Sequence, residues 1–404
     1  SYSPKNTPNA CTAPTRNMGI TIACSKPARL RMGYRVGSFT PPATLWHTGC
    51  TRSATVANSH PRRLVRLPSR RDEDTLQGFD TQLEEKTMKI VVLDGYTLNP
   101  GDNPWTPVEK LGELTVYDRT PADQVVERSK DAEIILTNKT PITRETLKQL
   151  PKLQFISVLA TGYNIVDTQA ARERNIPVSN VPVYGTDSVA EYTFALITSH
   201  FRRPVLHDEL VRKGEWRKSG DFSFWRAPLQ ELAGKTIGIV GFGRIGRRVG
   251  DLAAAFKMRV LAHDEYRQNP PSYDFAWRQP EELFAESDVV TLHCNQTPEN
   301  TGMVNKDLLS RMKKTAFFVN TARGGLVNEA DLAQALKDGQ LAGAAVDVVS
   351  QEPITDDNPL LTAPNILITP HIAWAACEAR VRLMQITAEN IVKFQAGEPI
   401  NQVN

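Results

Sequence analysis

Three ionisable side chains stand just after short apolar, β-branched runs in the C-terminal half of the chain: Arg323 after FFVNTA, Glu352 after AAVDVVSQ and His371 after ILITP. An arginine guanidinium is planar and clamps a carboxylate with parallel N–H donors. A histidine gives and takes a proton near neutral pH, and an adjacent anion keeps its ring charged. A cation that orients a carboxylate and polarises a carbonyl, an acid that protonates the carbonyl oxygen, and an anion that supports the acid are together what reduction of a 2-keto acid requires. Taken singly, an arginine is usually a surface charge and a histidine often a satisfied structural group. Three such residues at the carboxyl ends of strands in one open sheet converge on one crevice.

The element that must position them is Lys235 to Gly250, KTIGIVGFGRIGRRVG. Thr236 to Val240 reads as a strand buried on both faces. Gly241, Gly243 and Gly246 follow with the spacing G-x-G-x-x-G, and Ile245, Val249, Leu252 and Ala253 then recur at helical intervals. The glycines therefore sit at a strand-to-helix turn, the position of a dinucleotide-binding fingerprint. Gly241 would make the tight turn, Gly243 would admit a pyrophosphate, and Gly246 would let the helix lie close on the strand. The helix start offers unpaired N–H groups and the positive end of its dipole to the phosphates. A second strand, Arg259 to Ala262, ends at Asp264, 18 residues past the last glycine, near the ~20 expected of the acid that holds a ribose 2′-hydroxyl. A carboxylate there repels a 2′-phosphate, which favours NAD(H) over NADP(H), although His263 and Arg267 lie close by.

These motifs belong to an α/β chain. From Met88, apolar segments alternate through Ile90–Leu93, Val108–Leu111, Leu114–Tyr117, Ile134–Leu136, Phe155–Leu159 and Val178–Val181, with helical stretches between them, which predicts a first parallel-sheet domain. A long apolar helix over Asp187–Arg203, opened by Asp187 or Ser188 as N-cap, suits a crossover, with Ala190, Phe194, Ile197 and Phe201 as its packing stripe. Trp216, Phe222, Phe224 and Trp225 lie in a surface excursion over Lys213–Leu232 and are expected to pack against the second domain. That second domain should hold six short parallel strands, a doubly wound Rossmann sheet. A final helix over Ala373–Phe394 would pack back on the first domain. The domains are therefore expected at 88–186 plus 373–404 and at 187–372.

The 404 residues, 40% hydrophobic and 23% charged, describe an ordinary globular composition. The N-terminal stretch differs: every charged residue up to Arg71 is Lys or Arg. Residues 1–87 are rich in Ser, Thr, Pro and Arg and read as a disordered basic extension. An organellar transit peptide, an arm for acidic partners, and translation upstream of the real start compete as explanations, and Met88 immediately before a clean strand favours the last. Aromatic or helical patterning for a specific nucleic-acid mode is lacking, and so is an apolar run of the ~18 residues a membrane span needs. The five cysteines have no metal-ligand or C-x-x-C spacing, so a reducing, cytoplasmic setting without a metal is expected.

The segments GFGRIG, VVTLHCNQTPENTG, FFVNTARGGLVNE, LAGAAVDVVSQEP and TPHIAW make the chain resemble the D-isomer-specific 2-hydroxyacid dehydrogenases from Met88 to Asn404. The resemblance implies an Arg, Glu and His catalytic set at Arg323, Glu352 and His371. It also implies that Asp347 holds the nicotinamide carboxamide, that the amides of Ala160, Thr161 and Gly162 hold the substrate carboxylate, and that the protein is a homodimer. Further cofactor contacts are expected at Arg244 and Ile245 in the fingerprint turn, at Thr297, and at Thr321 and Ala322. Asn295 stands where the family commonly has proline. Trp374 in HIAW looks most like the glycerate dehydrogenases, which are also hydroxypyruvate reductases. Other D-2-hydroxyacid dehydrogenases, acting on phosphoglycerate or D-lactate, and a non-catalytic NAD(H) sensor of the same fold remain the alternatives.

Overall fold

The computed structural model describes residues 87–404, so the expected extension falls, but for Thr87, outside the described residues. Short β-branched runs form two sheets. The first contains β1 (Lys89–Val92), β2 (Glu113–Val116), β3 (Ile134–Thr137), β4 (Phe155–Val158) and β5 (Val178–Ser179), all parallel in the order β2-β1-β3-β4-β5. Strands β3 and β4 are buried along their whole length, as a sheet covered by helices on both faces demands.

The second sheet contains β6 (Thr236–Val240), β7 (Arg259–His263), β8 (Phe275–Trp277), β9 (Val289–Leu292), β10 (Phe317–Asn320), β11 (Gly343–Val346) and β12 (Ile366–Ile368). Its order is β12-β11-β10-β9-β6-β7-β8, which reverses direction about β6 in the manner of a dinucleotide-binding domain. It has seven strands where six were expected. The added β8 is a three-residue edge strand, half-buried throughout, too short and too exposed to leave a periodic signal.

The crossover helix Thr186–Arg202 buries Ala190, Phe194, Ile197 and Phe201 against Ile237, Ile239, Val260 and Phe317 of the second sheet. Its N-cap is Gly185 and makes no side-chain cap bond. The two expected cap residues are engaged elsewhere: Asp187 pairs with Arg248 at 2.7 Å, and the Ser188 hydroxyl donates to the Ala373 carbonyl at 2.6 Å. The aromatic excursion also departs from expectation. Trp216, Phe222 and Trp225 are 48%, 95% and 62% exposed, while the half-buried Phe224 lies beside His207 and under Arg226.

The helix Cys377–Gln395 places Ala379, Leu383, Met384 and Ile391 in one core with Ile90, Val92, Ile134 and Phe155. Phe394 stacks on Phe155 at 4.5 Å. Arg380, on the same helix, donates to both Asp102 carboxylate oxygens at 2.6 Å and to the Leu98 carbonyl at 3.2 Å, which ties down the loop after β1. Among the described residues, no helix is long and apolar enough to cross a membrane, and no group of His, Cys, Asp and Glu is arranged to hold a metal ion.

Candidate active site

Strands β10, β11 and β12 are neighbours in register, Asn320 beside Val346 and Val346 beside Ile368. Their carboxyl ends therefore deliver Arg323, Glu352 and His371 to one edge. His371 Nδ1 lies 2.7 Å from Glu352 Oε2. A carboxylate partner there favours a proton on Nδ1 and leaves Nε2 to exchange a proton across the cleft. Desolvation pushes the Glu352 carboxyl up, but the hydrogen bond and charge of His371, the Val349 N–H and the charge of Lys139 outweigh it and hold it below the usual carboxylate range.

The backbone that presents His371 is strained, with φ of 54° at a non-glycine residue. It is fixed by its N–H, which donates to the Asp347 carbonyl at 2.7 Å. The buried Asp347 carboxylate holds the same turn: it accepts from the Thr369 hydroxyl at 2.6 Å and from the N–H groups of Ile372 at 3.0 Å and Ala373 at 2.8 Å. Burial raises the Asp347 pKa against the pull of these bonds. Three of its roughly four acceptor sites are thus spent on the loop that carries His371. That anchoring was missed in the sequence, where no spacing reveals which backbone amides a buried carboxylate will cap.

Arg323 is set by Asn320, whose side chain donates to the Arg323 carbonyl at 2.9 Å and accepts from Ala322 N–H at 3.0 Å. Its guanidinium reaches across to the first domain, where a Cβ on Gly162 would lie 3.0 Å from Nη2. The Ala160–Gly162 loop follows β4 with its carbonyls turned away: Ala160 O accepts from Val181 N–H at 3.0 Å and Thr161 O from the Asn180 side chain at 2.7 Å. No described residue accepts from the N–H groups of Ala160, Thr161 or Gly162. Free amides beside a guanidinium form a receptor for a carboxylate.

Two further residues border this cleft without a sequence signal that singled them out. Tyr184 is buried, its ring edge-on to the half-buried Trp374 at 6.2 Å, and burial pushes its phenol up to about 12 against the opposing charge of Arg323. Lys139 is exposed between two buried neighbours, on a loop whose Asn138, Lys139 and Thr140 N–H groups all donate to Asp94, at 2.8, 2.6 and 2.7 Å.

The fingerprint turn fits a dinucleotide. Gly241 has φ of 90°, and a Cβ there would strike the backbone of His293 and Cys294. A Cβ at Gly246 would strike the Gly241 carbonyl, whereas Gly243, the N-cap of the helix Arg244–Ala255, faces open space. The approach to the first-turn N–H groups is thus clear of side chains. Asp264, at the end of β7, accepts from Phe242 N–H at 2.6 Å and Tyr266 N–H at 2.9 Å, so it braces the turn as well as facing it. Arg244 is exposed and Ile245 half-buried at the helix start. Thr321 is buried, bonded to Thr193 of the crossover helix at 3.0 Å, and the buried Ala322 follows it. Thr297 stands apart in an exposed turn after β9, its N–H donating to Asn300 at 2.7 Å.

A dinucleotide crevice flanked by a cation, an acid with its supporting anion, and a row of free amides defines an NAD-dependent dehydrogenase of hydroxy acids. The profile of the D-isomer specific 2-hydroxyacid dehydrogenase NAD binding domain matches residues 194–373. The hydroxypyruvate reductase of Blautia hydrogenotrophica is 48% identical over 322 residues, covering 78% of this chain and all of that protein. The glycerate dehydrogenase of Methylorubrum extorquens is 40% identical over 320 residues, covering 78% of this chain and 99% of its own length. Among solved structures, D-lactate dehydrogenase from Aquifex aeolicus, complexed with NAD and lactic acid, matches with a TM-score of 0.65 and 28% identity, over 77% of this chain and 96% of that one. The chain belongs to the D-isomer-specific 2-hydroxyacid dehydrogenase family.

Proposed function

We propose that the protein reduces hydroxypyruvate, and glyoxylate beside it, to the D-2-hydroxy acid with NADH, and catalyses the reverse oxidation. Bound NADH supplies the hydride that reaches C2. The chain's own residues do the rest. The amides of Ala160 to Gly162 and the Arg323 guanidinium hold the substrate carboxylate, Arg323 polarises the carbonyl, and His371 Nε2 gives its proton to the oxygen. Glu352 keeps the ring oriented through Nδ1. Asp347 holds the His371 loop and spends its remaining acceptor site on the nicotinamide carboxamide. Residues 88–186 with 373–404 form the substrate side, and residues 187–372 the cofactor side.

The observation that carries this reading is the 2.7 Å His371–Glu352 pair on the same sheet edge as Arg323. The Blautia and Methylorubrum names support hydroxypyruvate and D-glycerate as substrates, and Trp374 against Tyr184 supports a small pocket. The test is loss of NADH absorbance with the full chain, offered hydroxypyruvate, glyoxylate, pyruvate and phosphohydroxypyruvate in parallel. Fastest turnover of hydroxypyruvate is expected, and faster turnover of any other acid overturns the assignment.

The protein is further read as a cytoplasmic homodimer. Exposed Trp216, Phe222 and Trp225 on one excursion support an interface between two copies, since large aromatics in water mark association surfaces. Cys294 and Cys377 are both free thiols, which supports a reducing compartment. Light scattering on the eluting protein should give twice the chain mass, and Phe222→Ser with Trp225→Ser should give the monomer.

A further inference from the structure

Behind the free amides of Ala160 to Gly162 runs a chain of uncharged polar side chains that the chemistry does not use. Asn180 donates from its side chain to the Thr161 carbonyl at 2.7 Å. Its own carbonyl accepts from the Asn390 side chain at 3.0 Å, and its N–H donates to the Asn401 carbonyl at 3.1 Å. Asn401 in turn donates to the Asn390 side-chain oxygen at 2.8 Å. Asn390 belongs to the helix Cys377–Gln395 and, like Ser157 beside it, is fully buried.

The segment 400–404 closes this chain from outside. Gln402 bridges Ser179 of β5 in antiparallel fashion. The Ser179 hydroxyl donates to Ile400 O at 2.6 Å, Val403 N–H to Val178 O at 2.8 Å, and Val178 N–H to the Asn404 side chain at 2.8 Å. Buried amides cost stability unless every partner is met, and an apolar side chain would fill the same space more cheaply. What an amide adds is direction. Here the direction ends on Thr161 O, the carbonyl that shares a peptide plane with the Gly162 N–H and so decides where that N–H points.

We propose that Asn180 is a positioning residue for the substrate carboxylate, and that Asn390, Asn401 and the segment 400–404 hold it in place. The inference rests on the proposed function, which gives the Ala160–Gly162 amides the carboxylate. Because every 2-keto acid carries that carboxylate, a loosened loop weakens all of them alike, whereas a residue of the side-chain pocket would discriminate among them.

The experiment compares the full chain with Asn180→Asp, which keeps the shape but turns the donor into an acceptor, with Asn180→Ala, and with Asn401→Ala, which removes the outer side-chain link at a residue of left-handed backbone, φ 51°. KM for hydroxypyruvate, glyoxylate and pyruvate is measured beside NADH binding by fluorescence and thermal stability. The expected result is a rise in KM of about tenfold for the Asn180 variants, by the same factor for each acid. A smaller rise is expected for Asn401→Ala, and NADH affinity should stay unchanged in all three. Unchanged KM with lowered thermal stability overturns the positioning role, as does a rise confined to one acid. A wild-type chain that binds NADH and reduces no keto acid overturns the proposed function instead. Should the Asn180 variants fail to fold, Asn401→Ala decides alone.

Discussion

His371 and Glu352 meet at 2.7 Å through Nδ1 and Oε2, although they leave different strands of the second sheet, β12 and β11. Glu352→Gln keeps the shape and removes the charge. A neutral amide gives the Nδ1 proton a weaker acceptor than a carboxylate does, and its NH2 group can turn to face the ring instead. The kcat for reduction should fall by roughly ten- to a hundredfold, with NADH affinity unchanged. Steady-state kinetics on the two proteins measures this, and an unchanged kcat would remove Glu352 from its supporting role.

Arg323 lies against the Gly162 backbone with a planar fork, and a lysine there keeps the charge and loses the fork. Arg323→Lys is expected to lower kcat/KM for hydroxypyruvate by roughly a hundredfold, about 3 kcal/mol of lost transition-state stabilisation. Most of that should fall on KM if the carboxylate clamp dominates and on kcat if carbonyl polarisation does. Steady-state kinetics at saturating NADH separates the two.

Asp264 faces the cofactor crevice and braces the fingerprint turn through Phe242 N–H. Asp264→Ser removes the charge that excludes a 2′-phosphate and keeps a hydroxyl acceptor for the turn. The NADH to NADPH ratio of kcat/KM should fall by at least about tenfold, roughly the 1.4 kcal/mol of one lost like-charge contact. A ratio that stays constant assigns the discrimination to another residue.

His200 stacks on Phe317 at 4.0 Å, and burial, with the charge of Arg203 beside it, lowers its pKa to about 4. The unfolded chain takes up that proton near the ordinary value of 6.5. Stability contributed by the neutral ring is therefore complete above pH 6.5 and is lost as pH falls from there toward 4, by at most about 1.4 kcal/mol per pH unit. His293, lowered by burial to about 3, acts in the same sense. His200→Phe should lose less stability than the wild type between pH 7 and pH 5. Urea unfolding at the two pH values measures it, and equal losses would mean that His200 takes its proton without opening the fold.

The parts of the molecule that were legible in the sequence are those in which one residue type has one physical job. Gly241 and Gly246 are where a side chain would collide, and the buried runs of β6, β9 and β10 are long and apolar enough to read. Arg323, Glu352 and His371 were reachable because strand ends in a doubly wound sheet share a crevice. What was not legible depends on tertiary partners. Asn180 and Asn390 look like loop and helix polar residues until their partners, two hundred or so residues away, are known. Ser188 reads as a cap until Ala373 O is found beside it. The exposed aromatics of the 213–232 excursion were misplaced because a sequence does not distinguish a side chain buried in its own fold from one kept for another surface.

The helix Cys377–Gln395 closes a core whose other walls, β1, β3 and β4, come from the opposite end of the described chain. During synthesis those strands emerge first and wait, their apolar inner face uncovered, while the whole dinucleotide-binding portion is made. That portion is contiguous and holds its partners close in sequence, so it is the one suited to fold as it emerges. The core under the C-terminal helix is completed last, and its half-built sheet is the apolar surface left open longest.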